Sequence, residues 1–149
     1  MDTVWIVVAD AARARILRCE GRACHGITDV EALSHSESRA QNQDLVSDRP
    51  GRGWASAQGD ARHAFDETTD PAHHERDRFA RMVAERLKSA HHEGVFKHLV
   101  IVASPSFLGA LRDVMDRHVA QTVRAEVAKN VVKIEDPEGL RSYLPDFLY

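Results

Sequence analysis

Cysteine is scarce in this sequence, aromatic residues make up 6% of it, and no two glycines are adjacent. The scarcity of cysteine is no handicap, because a chain of 149 residues buries about 68–70% of its unfolded surface and needs neither metal nor disulfide staples to fold. Cys19 and Cys24 stand five apart around Gly21, with no second Cys/His pair at zinc spacing. They read as reduced thiols rather than as a ligand set.

Long apolar runs are missing as well. None approaches the ~18–20 residues a membrane span needs, and the start at Met1-Asp2-Thr3-Val4-Trp5 lacks the basic region and cleavage site of a signal peptide. The expectation is a cytoplasmic chain with no membrane contact. Neither sign of charge dominates: 20 Lys+Arg stand against 23 Asp+Glu, a net charge of −3. That balance excludes a general nucleic-acid coat and leaves only local contact, although nine histidines would shift it below about pH 6.5.

Motifs that carry chemistry are also absent. There is no Walker loop, no Gly-x-Ser-x-Gly elbow and no HExxH, and Gly51-Arg52-Gly53 supplies only the first two glycines of a dinucleotide fingerprint. His73-His74 and His91-His92 are adjacent pairs, which point about 100° apart on a helix and do not share one ion easily. No catalytic residue, metal or cofactor is nominated on these grounds.

What is present is an α/β pattern. Val4 to Ala9 and Leu99 to Ala103 are β-branched runs that suit central strands covered on both faces. Asp10 to Arg13 reverses the chain into a second strand around Arg15 to Arg18, and Ile27 to Leu33 makes a third despite poor alternation. Asp70-Pro71 opens a helix with Phe79, Met82, Val83, Leu87 and Ala90 on its apolar side, Lys88, His91 and His92 in its last turn, and a stop at Gly94. Ser104-Pro105-Ser106 opens another, whose apolar side runs from Phe107 and Leu108 through Leu111, Val114 and Met115 to His118/Val119. Thr122 to Val127 alternates as an edge strand with Val123, Ala125 and Val127 inward, and Asp136-Pro137-Glu138 starts a last short helix. Strands separated by helices imply parallel crossovers, so the expected sheet is mixed, five-stranded and ordered 3-2-1-4-5, like that of ribonuclease H. The expected organisation is a single domain over 1–149.

Between positions 34 and 69 periodicity disappears. Compact domains rarely carry connectors beyond about 12–15 residues without a use for them, and a short helix near Arg39 to Leu45 would shorten this one. Arg39, Arg49, Arg52 and Arg62 supply forks for phosphate, Trp54 a stacking plane, and Pro50-Gly51 a turn. Asp44, Asp48, Asp60 and Asp66 offset those arginines one for one, so internal Asp–Arg pairing is the competing reading. Two further positions invite chemistry. Asp10 stands where a ribonuclease H-like nuclease holds a divalent metal, but one carboxylate is no cluster and a turn role explains it. Ser104 and Ser106 lie at a helix start beyond a parallel strand, a place suited to an anion.

The strings Val4-Trp5-Ile6-Val7-Val8-Ala9-Asp10, Ala12-Arg13-Ala14-Arg15-Ile16, Asp44-Leu45, Ser47-Asp48-Arg49-Pro50-Gly51-Arg52, His63-Ala64, Thr69-Asp70-Pro71, Phe79-Ala80 and Leu108-Gly109-Ala110-Leu111-Arg112, with Lys129, resemble the bacterial host-attachment family. Its members are described as proteins required for attachment to host cells. Asn130-Val131-Val132 and Trp54 depart from the family pattern. The family is in turn similar to the middle domain of archaeo-eukaryotic peptide-chain release factors, where a Gly-Gly-Gln loop promotes hydrolysis of peptidyl-tRNA. Here the nearest approach is Gln58-Gly59, in reversed order.

The resemblance implies a non-catalytic, release-factor-like domain that contacts ribosome or structured RNA. The residues nominated for that contact, from the chemistry of the long loop, are Asp48, Arg49, Pro50, Gly51, Arg52, Trp54 and Arg62. The alternatives are a protein-interaction factor, binding a partner or itself through Tyr143 to Tyr149, and an enzyme: a metal nuclease or a peptidyl-tRNA hydrolase.

Overall fold

Strand β1 (Thr3–Ala9) is buried from Val4 onward, as a run of Val, Trp, Ile and Ala must be when both faces of a sheet are covered. The computed structural model describes residues 1–35 and 71–149. After β1 come β2 (Arg13–Glu20), β3 (His25–Ser34), helix α1 (Pro71–His92), β4 (His98–Ala103), α2 (Pro105–Val114), α3 (Arg117–Ala120), β5 (Val123–Val127) and α4 (Pro137–Leu140), which leads into a 3-10 turn at Arg141–Tyr143. Together the five strands form one sheet in the order β3-β2-β1-β4-β5, the order the sequence pattern implies. β2 pairs antiparallel with β1 from Thr3↔Glu20 to Ala9↔Ala14, while β4 runs parallel to β1 from Val4↔His98 to Ala9↔Ala103. Asp70, expected to cap α1, lies outside the described residues.

Alternation along the strands divides the core into two layers. Trp5, Val7, Ala9, Ile16, Leu99 and Ile101 face α1 and α2, which fill that layer with Phe79, Val83, Leu87, Phe107 and Leu111. Phe79 and Phe107 join the two helices at 5.6 Å between ring centroids. Trp5 stacks on Phe96 at 5.2 Å, and its buried Nε1–H finds no acceptor among the described residues. The opposite face, with Val4, Ile6, Val8, Leu17, Val100 and Val102, is covered by Val131, Val132, Leu140, Leu144 and Leu148. The segment Tyr143 to Tyr149 therefore packs on its own sheet. Leu148 is 1% exposed and Phe147 62%.

Three expectations need correction. The second long helix does not continue to His118/Val119: α2 ends at Val114, Met115 is extended, and Asp116 caps a separate α3 by accepting the N–H groups of His118 and Val119. Val123, Ala125 and Val127 are the less exposed positions of β5, as expected, but they do not share one face, because the register to β4 shifts between Leu99↔Val123 and Val100↔Ala125. The bulge sends Val123 to the helical layer and Ala125 and Val127 to the other, and it lets Glu126 reach Arg112 of α2. Finally, Cys19 and Cys24 are not separate thiols but a disulfide. Gly21 at φ 80° and Cys24 at φ 60° curl the β2–β3 connection until the two Cα atoms stand 5.0 Å apart.

Candidate functional site

At the carboxyl end of β1, Asp10 organises the turn into β2. Its Oδ1 accepts the backbone N–H groups of Ala12 at 2.8 Å and Arg13 at 2.9 Å, and its Oδ2 accepts the Asn130 amide at 3.3 Å. Both oxygens are thereby engaged, which is the turn role that a lone Asp at this position suits. α2 starts on the same edge of the sheet: the Ser104 N–H donates to the Ala9 carbonyl at 3.2 Å. Ser104 is half-buried and its side chain makes no capping bond, while Ser106 is exposed.

Beyond this turn, β2 and the chain from Val132 to Glu135 flank a groove of about 500 Å³ lined by Arg13, Arg15, Val132, Lys133 and Glu135. An adjoining hollow of about 270 Å³ adds Ala32, Leu33 and Ser34. Residues two apart on a strand share a face, so the pattern Arg13-Ala14-Arg15 aims both guanidinium groups into the groove while Ala14 enters the core. Arg15 is fully engaged. It donates to the carbonyls of Ile134 and, at 2.8 Å, Glu135, and pairs with Asp29 at 2.9 Å, tying the chain after β5 across β2. Arg13 and Lys133 are exposed, and neither forms a salt bridge among the described residues. Among the described residues lining the groove they are the cations without an ion pair, and Glu135 lines it with them. An arginine fork beside a lysine along Val132 suits a phosphate group attached to an apolar or aromatic body.

The described chain breaks off at His35, next to Ser34 of the adjoining hollow. His35 donates its N–H to the Ala12 carbonyl at 2.7 Å, and its Nε2 pairs with Glu75 in the second turn of α1. Glu75 also takes the Arg78 guanidinium at 2.8 Å. Partial burial raises the Glu75 pKa, but the His35 hydrogen bond and the Arg78 charge outweigh it and hold the carboxyl below its usual range. Of the nominated residues, Asp48, Arg49, Pro50, Gly51, Arg52, Trp54 and Arg62 lie outside the described residues. Arg39, Asp44, Asp60 and Asp66 do too.

A second hollow, of about 690 Å³, lies where α1 ends, between Glu85, Lys88, Ser89, His91, His92, Glu93, Asp116 and His118. Among the described residues no three His, Cys, Asp or Glu side chains converge as a metal would require. Burial raises the Asp116 pKa, yet the N–H groups of His118 and Val119 outweigh it and keep the carboxyl low.

A family model described as "Protein required for attachment to host cells" matches residues 5–144. The chain belongs to this host-attachment family. No curated protein matches it. Residues 5–144 take in the whole sheet apart from the first two positions of β1, together with Arg13, Lys133 and the Asp10 turn. No helix among the described residues of this host-attachment protein is long and apolar enough to cross a membrane. Sequence reasoning misses the groove for a physical reason. Arg13-x-Arg15 is a visible signal, but Lys133 reaches it from more than a hundred positions away.

Proposed function

We propose that this host-attachment protein is a non-catalytic, cytoplasmic binding module that engages ribosome or structured RNA, and that its link to attachment runs indirectly through translation. The observation that carries this reading is the groove: Arg13 and Lys133 stand without acidic partners among the described residues, beside the point where stretch 36–70 departs. That stretch holds Arg49, Arg52, Arg62 and Trp54, residue types that bind phosphate and stack on bases. The likeness of the host-attachment family to a release-factor middle domain is in keeping with this reading, and the missing Gly-Gly-Gln favours binding over hydrolysis.

The test is co-sedimentation of the tagged protein with ribosomes through sucrose gradients at low and high salt. Comigration that salt reverses supports the reading, because phosphate contacts release counterions. A protein that stays at the top of both gradients overturns it and moves attention to a protein partner.

A further inference from the structure

We propose that Cys19 and Cys24 form a reversible redox site, reduced by small-molecule thiols, whose state governs how firmly the segment Leu144–Tyr149 is seated on the sheet. The disulfide closes a corner of only a few residues, Gly21 to Cys24, and that corner is where the segment docks. The Arg22 carbonyl accepts the Leu148 N–H at 2.8 Å, the Arg22 Nε donates to the Tyr149 carbonyl, and its guanidinium lies 4.9 Å from the Phe147 ring centroid. All three last residues therefore hang on one residue inside the disulfide-closed corner. The corner is further tied to the residue before β1 by the Gly21 N–H on the Asp2 carbonyl at 2.9 Å, and Asp2 in turn holds His98, on which Tyr149 stacks at 3.8 Å.

The same corner carries an uncommon backbone conformation. Cys24 is the sole non-glycine with positive φ among the described residues, at 60°, a region unfavourable to a side chain with a Cβ. The Cys19 bond closes this turn together with the Cys24 N–H, which donates to the Gly21 carbonyl at 3.1 Å. Both sulfur-bearing residues also belong to the apolar layer that Leu140, Leu144 and Leu148 complete, so a change at the corner reaches the packing of the segment directly.

The chemistry is thiol–disulfide exchange. Cys19 is 0% and Cys24 7% exposed, so both are buried and an external thiolate attacks Cys24 Sγ, the less covered residue, when the corner opens. A mixed disulfide forms there, the Cys19–Cys24 bond breaks, and Cys19 leaves as a thiolate that takes up a proton. A second external thiolate attacks the reagent sulfur of the mixed disulfide and frees Cys24, which is protonated in turn. Overall the protein disulfide gains two electrons and two protons, and two reagent thiols become one disulfide. With the bond gone, Cys24 is free to relax to negative φ, the Arg22 carbonyl turns away from Leu148, and the segment loosens from Val4, Ile6 and Val100.

The experiment is hydrogen exchange, read by mass spectrometry, on the full chain oxidised with glutathione disulfide and on the same chain reduced with dithiothreitol. The expected result is exchange about tenfold faster over residues 144–149 in the reduced protein, with α1 and β4 unchanged. Cys24→Gly tolerates positive φ without a thiol, and its exchange over 144–149 should no longer respond to reductant. Two free thiols after oxidation, counted by alkylation in denaturant, would overturn the proposal. So would equal exchange in the two states, or a loss of protection spread over the whole chain, which would make the bond a general staple.

Discussion

The His98 ring is held at both nitrogens: Nε2 lies 2.9 Å from Asp2 Oδ2, and Nδ1 accepts the Arg124 Nε–H at 2.9 Å. A guanidinium only donates, so Nδ1 carries no proton and the neutral Nε2–H tautomer faces Asp2. That hydrogen bond is the largest effect and outweighs burial, the next, and with the charge of Lys97 it holds the Asp2 carboxyl below its usual range. A carboxyl lowered in the folded state contributes stability above its unfolded pKa and loses it as pH falls through the folded value.

The stability gap between wild type and Asp2→Asn should therefore be present at neutral pH and shrink below about pH 4. Denaturant midpoints measured across that range check this. A gap independent of pH would mean that the Asp2 charge does not matter. Imidazole nitrogen shifts should separately report the Nε2–H tautomer of His98.

Leu148 and Phe147 are neighbours in sequence with opposite surroundings. Leu148 is 1% exposed in the layer beneath the sheet, whereas Phe147 is 62% exposed and meets Arg22. Leu148→Ala should cost about 2–5 kcal/mol through lost burial and the cavity left behind. Phe147→Ala should stay within about 0.5 kcal/mol, as exposed substitutions do. Thermal unfolding of the two variants compares them, and equal losses would contradict the packing of this segment on its own sheet.

Strand order is legible in the sequence because the signals that set it are local. Two β-branched runs, Val4 to Ala9 and Leu99 to Ala103, mark strands buried on both faces, and the helical spacing of Phe79, Val83 and Leu87 marks the crossover between them. The features that are not legible depend on long-range geometry. The bulge at Leu99/Val100 turns Glu126 toward Arg112, and no pattern within β5 announces it. The disulfide is hidden too, because the spacing of Cys19 and Cys24 does not reveal that Gly21 and Cys24 both adopt positive φ. Of the candidate site, Asp10 is legible as a turn residue, since Asp before a chain reversal accepts the next N–H groups. The Arg13–Lys133 groove is not, because it exists only once the chain after β5 lies across β2.

Gly94 ends α1 at φ 74°, with open space where a side chain would project. Its N–H donates to the His91 carbonyl at 3.0 Å, and the Val95 N–H reaches Ala90 at 3.0 Å, closing the last turn. Sterics therefore play no part, and the cost of Gly94→Ala should be that of a left-handed backbone, about 1–2 kcal/mol. Gly94→Asn should cost less, because Asn tolerates that region. Chemical denaturation distinguishes the two, and a neutral Ala substitution would show that the helix end reorganises.

Arg13 and Arg15 offer the sharpest separation of binding from folding. Arg15 ties Ile134, Glu135 and Asp29 together, so Arg15→Ala should lower stability and displace the chain after β5. Arg13 and Lys133 are exposed and without salt bridges among the described residues, so Arg13→Ala combined with Lys133→Ala should leave the melting temperature nearly unchanged. If the groove takes phosphates, that pair should weaken binding to structured RNA about tenfold at low salt. It should also reduce the slope of log affinity against log salt by roughly 1.5, from about 0.7–0.9 for each phosphate that is no longer neutralised. Filter binding over a salt series measures both quantities. An unchanged slope with the double variant would remove the groove from the interface, and a lowered melting temperature would show that the two cations support the fold rather than a ligand.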